Sequence, residues 1–364
     1  MGFKCGIVGL PNVGKSTLFN TLAQMDIPAE NYPFCTIKPN TGTVLVPDKR
    51  LDAIAEIAKP KKIVPTTIEF VDIAGLVAGA SKGEGMGNQF LAHIREVDAI
   101  AHVVRCFDDE NVTHVSGSLD PIADADTINI ELVLADLDTV GRAITKAKLG
   151  LKSGADRAAK LHLNLLERME KHLSDWGPAR SMQLDITELN ALRPLCLLTI
   201  KPTLYVANIG EEGLVGNSYA TALEQLAHNE EAGMVALSAK FEAELADMDE
   251  GEQEIFLMEM GLDEPGLNRF IRAGYDLLSL STYFTAGPKE VRAWTVPANT
   301  CAPDAAGVIH TDFIRGFIRA EVISYEHYIG LKGEQGAKEA GKLRVEGKDY
   351  IVQDGDVMHF LFNV

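Results

Sequence analysis

Gly9-Leu10-Pro11-Asn12-Val13-Gly14-Lys15-Ser16 stands between an apolar run, Phe3-Lys4-Cys5-Gly6-Ile7-Val8, and a segment of helical spacing, Thr17-Leu18-Phe19-Asn20-Thr21-Leu22. This is GxxxxGK[ST] in the order the motif needs, strand, loop and helix, and it predicts an α/β P-loop domain. The glycines let the backbone turn its N–H groups inward, and the start of the following helix adds positive partial charge. The loop is therefore built to hold phosphate. The predicted nucleotide contacts run through Asn12, Val13, Gly14, Lys15, Ser16 and Thr17. Lys15 reaches the outer phosphates as the first catalytic candidate, and the Ser16 hydroxyl is a ligand for Mg2+.

Ile68-Glu69-Phe70-Val71-Asp72 reads as a second strand ending in a carboxylate, and Asp72-Ile73-Ala74-Gly75 is a DxxG. Asp72 is expected beside the Mg2+, and the Gly75 amide where it senses the γ-phosphate. Between the two motifs lies Asn31-Tyr32-Pro33-Phe34-Cys35-Thr36, whose Thr36 is expected on the metal and the γ-phosphate. The order P-loop, threonine loop, DxxG is that of GTPase-like switch proteins. Gly79, Gly83, Gly85 and Gly87 follow within Ala78–Asn88. No strand precedes them and no Gly-Lys follows, so they predict a switch segment and not a second phosphate loop.

The base-reading motif departs from that pattern. A guanine reader carries NKxD after a later strand, its Asp accepting from guanine N1–H and the 2-amino group. Here the strand Thr203-Leu204-Tyr205-Val206-Ala207 runs into Asn208-Ile209-Gly210-Glu211. The Lys is missing and Glu replaces Asp, one methylene longer, which damages a guanine clamp. Asn208 is expected on the N7 and 6-substituent edge of a purine, with Ile209 and Glu211 beside it. Ser238-Ala239-Lys240, after Met234–Leu237, supplies the last loop around the base, with Ser238 as its candidate contact.

From Asp72 to Asn208 is 136 residues, more than one strand–helix–strand step needs. Ile130, Val133, Leu137, Val140, Ile144, Ala147 and Leu151 follow alternating three- and four-residue steps, with Gly141 a weak point beside them. Ser153-Gly154-Ala155-Asp156 reads as a capping turn, and Ala159, His162, Leu166, Met169 and Leu173 form a second seam. Two such helices predict an antiparallel, coiled-coil-like arm inserted in the nucleotide domain; ordinary bundle packing is the alternative. Residues 142–171 hold eight basic and three acidic side chains, whereas 241–264 hold ten acidic and no basic ones.

After about Leu280, Val291–Val296, Ala306–His310, Tyr350–Val352 and His359–Val364 read as short strands. Asp312–Phe317 reads as a helix and Gln353–Asp356 as a turn. The pattern alone is that of a small α+β domain; a small mixed sheet folded over one helix would be a β-grasp. It is similar to the TGS domains of threonyl-tRNA synthetases, some GTPases and stringent-response enzymes, which implies an RNA or ribosome contact. The expected domains are thus 1–120 and 201–280 for the two parts of the P-loop domain, 121–200 for the arm and 281–364 for the β-grasp tail.

The composition agrees with a globular chain: 364 residues, 46% apolar and 24% charged, with room for two or three domains. A net charge of −18 excludes indiscriminate coating of nucleic acid or anionic membrane, but it is an average, and the helical arm is locally basic. The cysteines Cys5, Cys35, Cys106, Cys196 and Cys301 are scattered and odd in number, which speaks against a disulfide framework or structural zinc. No secretory signal, membrane-length apolar run or myristoylation pattern is present, so a cytoplasmic monomer without a membrane partner is expected.

The P-loop with its Thr-Leu-Phe-Asn extension, Asn-Tyr-Pro-Phe-Cys-Thr-Ile (31–37) and Asp-Ile-Ala-Gly-Leu-Val-Ala-Gly-Ala-Ser (72–81) resemble the Obg-related P-loop NTPases. With Asn208–Glu211 and the tail, the whole length resembles the Obg-like ATPase (YchF) family. The resemblance implies that ATP is preferred over GTP and that the partner is the ribosome or its RNA, met through the arm or the TGS-like tail. A GTPase with relaxed base recognition and a largely non-catalytic ribosome-binding adaptor are the alternative readings. Ras-like enzymes orient the attacking water with a Gln after DxxG, but Leu76 stands there, an apolar replacement that the resemblance also implies. His114, in the polar segment 108–118, is the candidate in its place; His93 and His102 are weaker. Asn12 is a second candidate, through recruitment of K+ as a charge-neutralising ion.

Overall fold

The computed structural model describes residues 3–25, 40–73, 86–109, 119–152 and 157–363. The expectations for Thr36 and its loop, Gly75, Leu76, the glycine run 79–85, His114 and the turn 153–156 lie outside the described residues. The chain forms two compact units, Met1–Val44 with Glu69–Leu277, and Leu45–Ile68 with Leu278–Val364. The second unit thus takes residues 45–68 from within the stretch 1–120 that reads in sequence as P-loop domain.

The first unit opens with β1 (Lys4–Val8), α1 (Lys15–Gln24) and β2 (Thr41–Leu45). The chain passes through α2 (Lys49–Ala58) and β3 (Lys62–Val64) of the second unit and returns in β4 (Thr67–Asp72). Then come α3 (Met86–Glu96), β5 (Ala99–Cys106), α4 (Pro121–Lys152), α5 (Arg157–Ser174), α6 (Ile186–Leu192), β6 (Thr203–Ile209), α7 (Ser218–Asn229), β7 (Gly233–Leu237), α8 (Ala239–Ala246), α9 (Glu250–Glu259) and α10 (Gly266–Leu277). The sheet order is β2-β4-β1-β5-β6-β7. Every residue of β5 and of β6 is buried, as expected of parallel strands covered on both faces. Pairing is parallel from β4 through β7, with Ile7 opposite Asp72, Val8 opposite His102, Cys106 opposite Ile209 and Asn208 opposite Leu237. This register brings the carboxyl ends of five strands to one edge, where open α/β sheets bind ligands.

The insertion is helical, as its spacing predicts. Only four residues separate α4 from α5, so the second helix must double back on the first. Val133, Val140, Ile144, Leu166, Met169 and Leu173 share one buried cluster, and Lys148 Nζ meets Glu167 Oε1 at 3.0 Å. Ile130, placed on the seam by its spacing, is 40% exposed. The cause is register: the first turns of α4 pack on the nucleotide sheet, with Ala125 against Val104, Tyr205 and Leu223. Asp136 then ties α4 to the segment before β6. Its buried carboxylate accepts from Leu198 N and Thr199 N, both at 2.8 Å, and from Thr199 Oγ1 at 2.7 Å.

The second unit adds β8 (Leu280–Ala286), β9 (Glu290–Pro297), α11 (Ala302–Ile309), α12 (Asp312–Gly316), β10 (Phe317–Ile323), α13 (Tyr325–Gly330), α14 (Glu334–Glu339), β11 (Arg344–Glu346) and β12 (Val357–Phe362) to α2 and β3. Its mixed sheet runs β11-β10-β12-β8-β9-β3. Neighbouring Tyr283 and Phe284 enter different clusters, one with Ala302, Ala305 and Ala306 of α11, the other with Leu51 and Ile54 of α2. Both faces of β8 are therefore buried at its centre, Thr282–Phe284. Two expectations fail here. Ala306–His310 is not a strand, because Pro303 and Asp304 in the first turn and a run of alanines start a helix. Tyr350–Val352 makes a single bridge, Ile351 to Cys301, through Ala302 N to Tyr350 O at 2.8 Å and Val352 N to Thr300 O at 3.0 Å. No helix among the described residues is long and apolar enough to cross a membrane.

Candidate functional site

The P-loop leaves β1 and turns through two left-handed positions, Asn12 at φ 64° and Gly14 at φ 90°. Gly14 is required twice over: its φ disfavours any side chain, and a Cβ there would run into Asn208 Nδ2. α1 starts at Lys15 with no side-chain cap at Gly14, so its first N–H groups face the loop. Val13 is buried beneath the loop, whereas Ser16 and Thr17 are exposed in the first turn. Lys15 is 8% exposed, and its ammonium donates to Asp72 Oδ1 at the end of β4. Lys15, Ser16 and Asp72, read separately from two motifs, are thus gathered at one sheet edge. The Ser16 hydroxyl and the Asp72 carboxylate are hard oxygen donors of the kind Mg2+ accepts.

Asn208, near the carboxyl end of β6, closes the loop from two strands away. At 4% exposure, its Nδ2 donates to Val13 O at 2.8 Å and its Oδ1 accepts from Ala239 N at 2.9 Å. The sequence expectation has this amide reading a purine edge; its first task is to tie the P-loop to the loop after β7. Ser238 is similarly occupied, because its Oγ caps α8 by accepting from Phe241 N at 3.4 Å.

Beside these residues lies a cavity of about 620 Å3. Asn12 and Gly14 of the P-loop and Thr17 of α1 line one part of it, and Asn208, Ile209 and Glu211, at and after the end of β6, another. Such a volume lies within the range of small-ligand sites. A third wall, Phe107-Asp108-Asp109, carries no motif that marks it in the sequence. It follows β5 directly, and the parallel register with β1 is the signal that would have found it. Arg105, 4% exposed, shapes this wall by donating to Phe107 O at 3.0 Å and Asp109 O at 3.2 Å, with its guanidinium 4.7 Å from the Phe107 ring centre. Lys240, part of the expected last loop although Ser238 is its candidate contact, is a further wall residue. Its Nζ lies 2.9 Å from Glu211 Oε1 and 3.8 Å from Glu244 Oε1, and the bond to Glu211 raises the ammonium above its ordinary range.

The histidines among the described residues offer no base at this edge. Burial lowers His102 to about 3, helped by Arg180, so it is a neutral core ring tilted against Tyr205 at 5.2 Å. His93 is exposed on α3.

Two family profiles match the chain: "50S ribosome-binding GTPase" over residues 4–136, and the YchF-GTPase C-terminal family, "Protein of unknown function (DUF933)", over 280–363. The chain is 61% identical to "Ribosome-binding ATPase YchF" of Haemophilus influenzae and 52% identical to the protein so named in Bacillus subtilis, each covering 100% of both chains. Among solved structures, "Structure of the Schizosaccharomyces pombe YchF GTPase" superposes with a TM-score of 0.88 at 37% identity, covering 99% of this chain and 98% of that one. A GTP-binding protein of Pyrococcus horikoshii, at 18% identity and a TM-score of 0.61 over 99% of this chain and 100% of that one, shares the fold.

Proposed function

The chain belongs to the YchF family of P-loop NTPases, and we propose that it is a Mg2+-dependent ATPase that hydrolyses ATP to ADP and phosphate as a conformational switch at the ribosome. The names of its relatives divide between ATPase and GTPase, so the base has to be argued from this chain's own residues. One observation carries the ATP reading. The position that would hold a guanine-reading Asp holds Glu211, and that carboxylate is already paired with Lys240 at 2.9 Å. Guanine needs both oxygens of a carboxylate turned to its two parallel donors, and here Lys240 already competes for Oε1 and offsets the charge. Adenine offers an acceptor at N1 and a 6-amino donor and has no use for it. Asn208, whose amide keeps a second hydrogen and a second lone pair, remains able to meet the purine's N7 and 6-amino edge. Ile209 and Phe107 supply apolar wall.

In this reading the amides of Val13 through Thr17 and the Lys15 ammonium bind the phosphates, and charge developing on the γ-phosphoryl oxygens is stabilised by Lys15. Ser16 and Asp72, with Thr36, would hold Mg2+, which when bound offsets negative charge on the β- and γ-phosphates. Gly75 is the γ-phosphate sensor. His114 as the group orienting water, and Asn12 as the recruiter of K+, complete the proposal. The α4–α5 arm would carry the basic face towards ribosomal RNA, and the TGS-like β-grasp tail would supply a second contact. The ribosome enters through the names of the relatives together with that local excess of positive charge.

The test is phosphate release from ATP and from GTP by the full chain, with Lys15→Ala as control. Turnover of ATP in excess of GTP, lost in Lys15→Ala, is expected. Equal or faster GTP turnover would contradict the assignment, and turnover unchanged in Lys15→Ala would favour the adaptor reading.

A further inference from the structure

The cavity wall holds a device that base recognition alone does not require. We propose that Lys240 is a specificity-determining residue: by pairing with Glu211 Oε1 it competes with guanine's donors for that carboxylate and offsets its charge. The inference rests on the ATP reading above and deepens it.

Glu211 stands three residues after Asn208, at the start of the short helical turn Glu211–Val215, in the cavity wall. Lys240 comes from the first turn of α8, 29 positions away, and enters the same cavity beside Ala239, whose amide is bonded to Asn208. Two independent elements are thus held at the base by one asparagine, and their side chains meet across its position. Glu244, one turn along α8, attracts the ammonium from its other side at 3.8 Å. Asp108, Asp109 and Glu212 line the same cavity, so Lys240 is the one cation among its described lining residues and stands among four carboxylates.

The two purines respond differently to this pair. Guanine presents N1–H and the 2-amino group as parallel donors, and a free carboxylate would accept both. Adenine presents a lone pair at N1, which a free carboxylate repels. Releasing Glu211 therefore favours GTP and disfavours ATP at the same position. Any contact of the Lys240 stem with the base face affects both nucleotides alike. The ratio of the two dissociation constants isolates the charge pairing.

The experiment is calorimetric titration of the full chain with Mg2+ and non-hydrolysable ATP and GTP analogues, in wild type, Lys240→Met, Glu211→Gln and the double variant. Lys240→Met keeps the stem and removes the charge at an exposed position, and Lys240→Arg serves as the variant that keeps the pair. Lys240→Met is expected to lower the ratio Kd(GTP)/Kd(ATP) by about two- to fivefold, the scale of an exposed ion pair. Lys240→Arg is expected to leave the ratio unchanged, and the drop should vanish when Lys240→Met is made in the Glu211→Gln background. An unchanged ratio in Lys240→Met, or the same drop in the Gln background, would overturn the proposal. A wild type that prefers the GTP analogue would contradict the ATP reading instead, and the cycle would still report whether the two residues are coupled.

Discussion

Asn208 makes the site out of separate loops. Removing its amide in Asn208→Ala leaves the Val13 carbonyl and the Ala239 N–H without their partners, at roughly 1–3 kcal/mol for each buried group. The expected outcome is a lower Tm together with weaker binding of every nucleotide, read by thermal unfolding with and without ATP analogue. A change in base preference at unchanged stability would instead make Asn208 a reader only. His102 gives a pH signature. Its folded pKa, about 3, lies below the unfolded value of about 6.5, so the unfolded chain takes up a proton that the folded chain refuses. The stability contributed by the neutral ring is complete above pH 6.5 and is lost as pH falls towards 3. Between pH 6.5 and 5, wild type should lose about 1.5 kcal/mol more than His102→Phe in urea unfolding, the slope rising from half a proton at pH 6.5 towards 1.36 kcal/mol per pH unit. Parallel profiles for the two proteins would show the ring protonated in the fold.

At the scale of elements, the arm depends on one carboxylate and one seam. Desolvation raises the pKa of Asp136, but three hydrogen bonds pull it back, and all three come from the segment leading into β6. Asp136→Asn offers one acceptor oxygen in place of two and turns an amide donor towards a donor. It should destabilise the first unit by about 1–3 kcal/mol and speed amide exchange at Leu198 and Thr199. Leu166→Ala, in the α4–α5 cluster, should cost about 2–5 kcal/mol while leaving nucleotide affinity unchanged. The elements also show what the sequence could and could not reveal. The P-loop, the DxxG strand and the α4–α5 seams are legible because each is local and periodic. β3 is not: it pairs with β9, Ile63 opposite Val291, more than two hundred residues later, and nothing within Lys62–Val64 points there. α11 reads as a strand because Gly307-Val308-Ile309 has strand-like content, while the signal that wins, Pro303-Asp304 at a helix start, lies upstream of it. Lys240 and Asn208 are visible as residues, but their partners lie 29 and 195 positions away.

For the whole molecule, the charge of −18 is best read as a distribution. Lys146, Arg157 and Lys160 are exposed on the two arm helices, whereas 241–264 is wholly acidic in its charged residues. Reversing these three to Glu should weaken co-sedimentation with ribosomes and lower its salt slope by about one for each phosphate that the arm no longer neutralises. ATP affinity should stay as it was. Ribosome retention unchanged by the reversals would move the docking surface off the arm. The central claim, a P-loop ATPase whose base pocket has given up its guanine clamp, is tested most directly by one paired titration of the wild-type chain with Mg2+ and non-hydrolysable ATP and GTP analogues. The account predicts tighter binding of the ATP analogue; equal or tighter binding of the GTP analogue would contradict it.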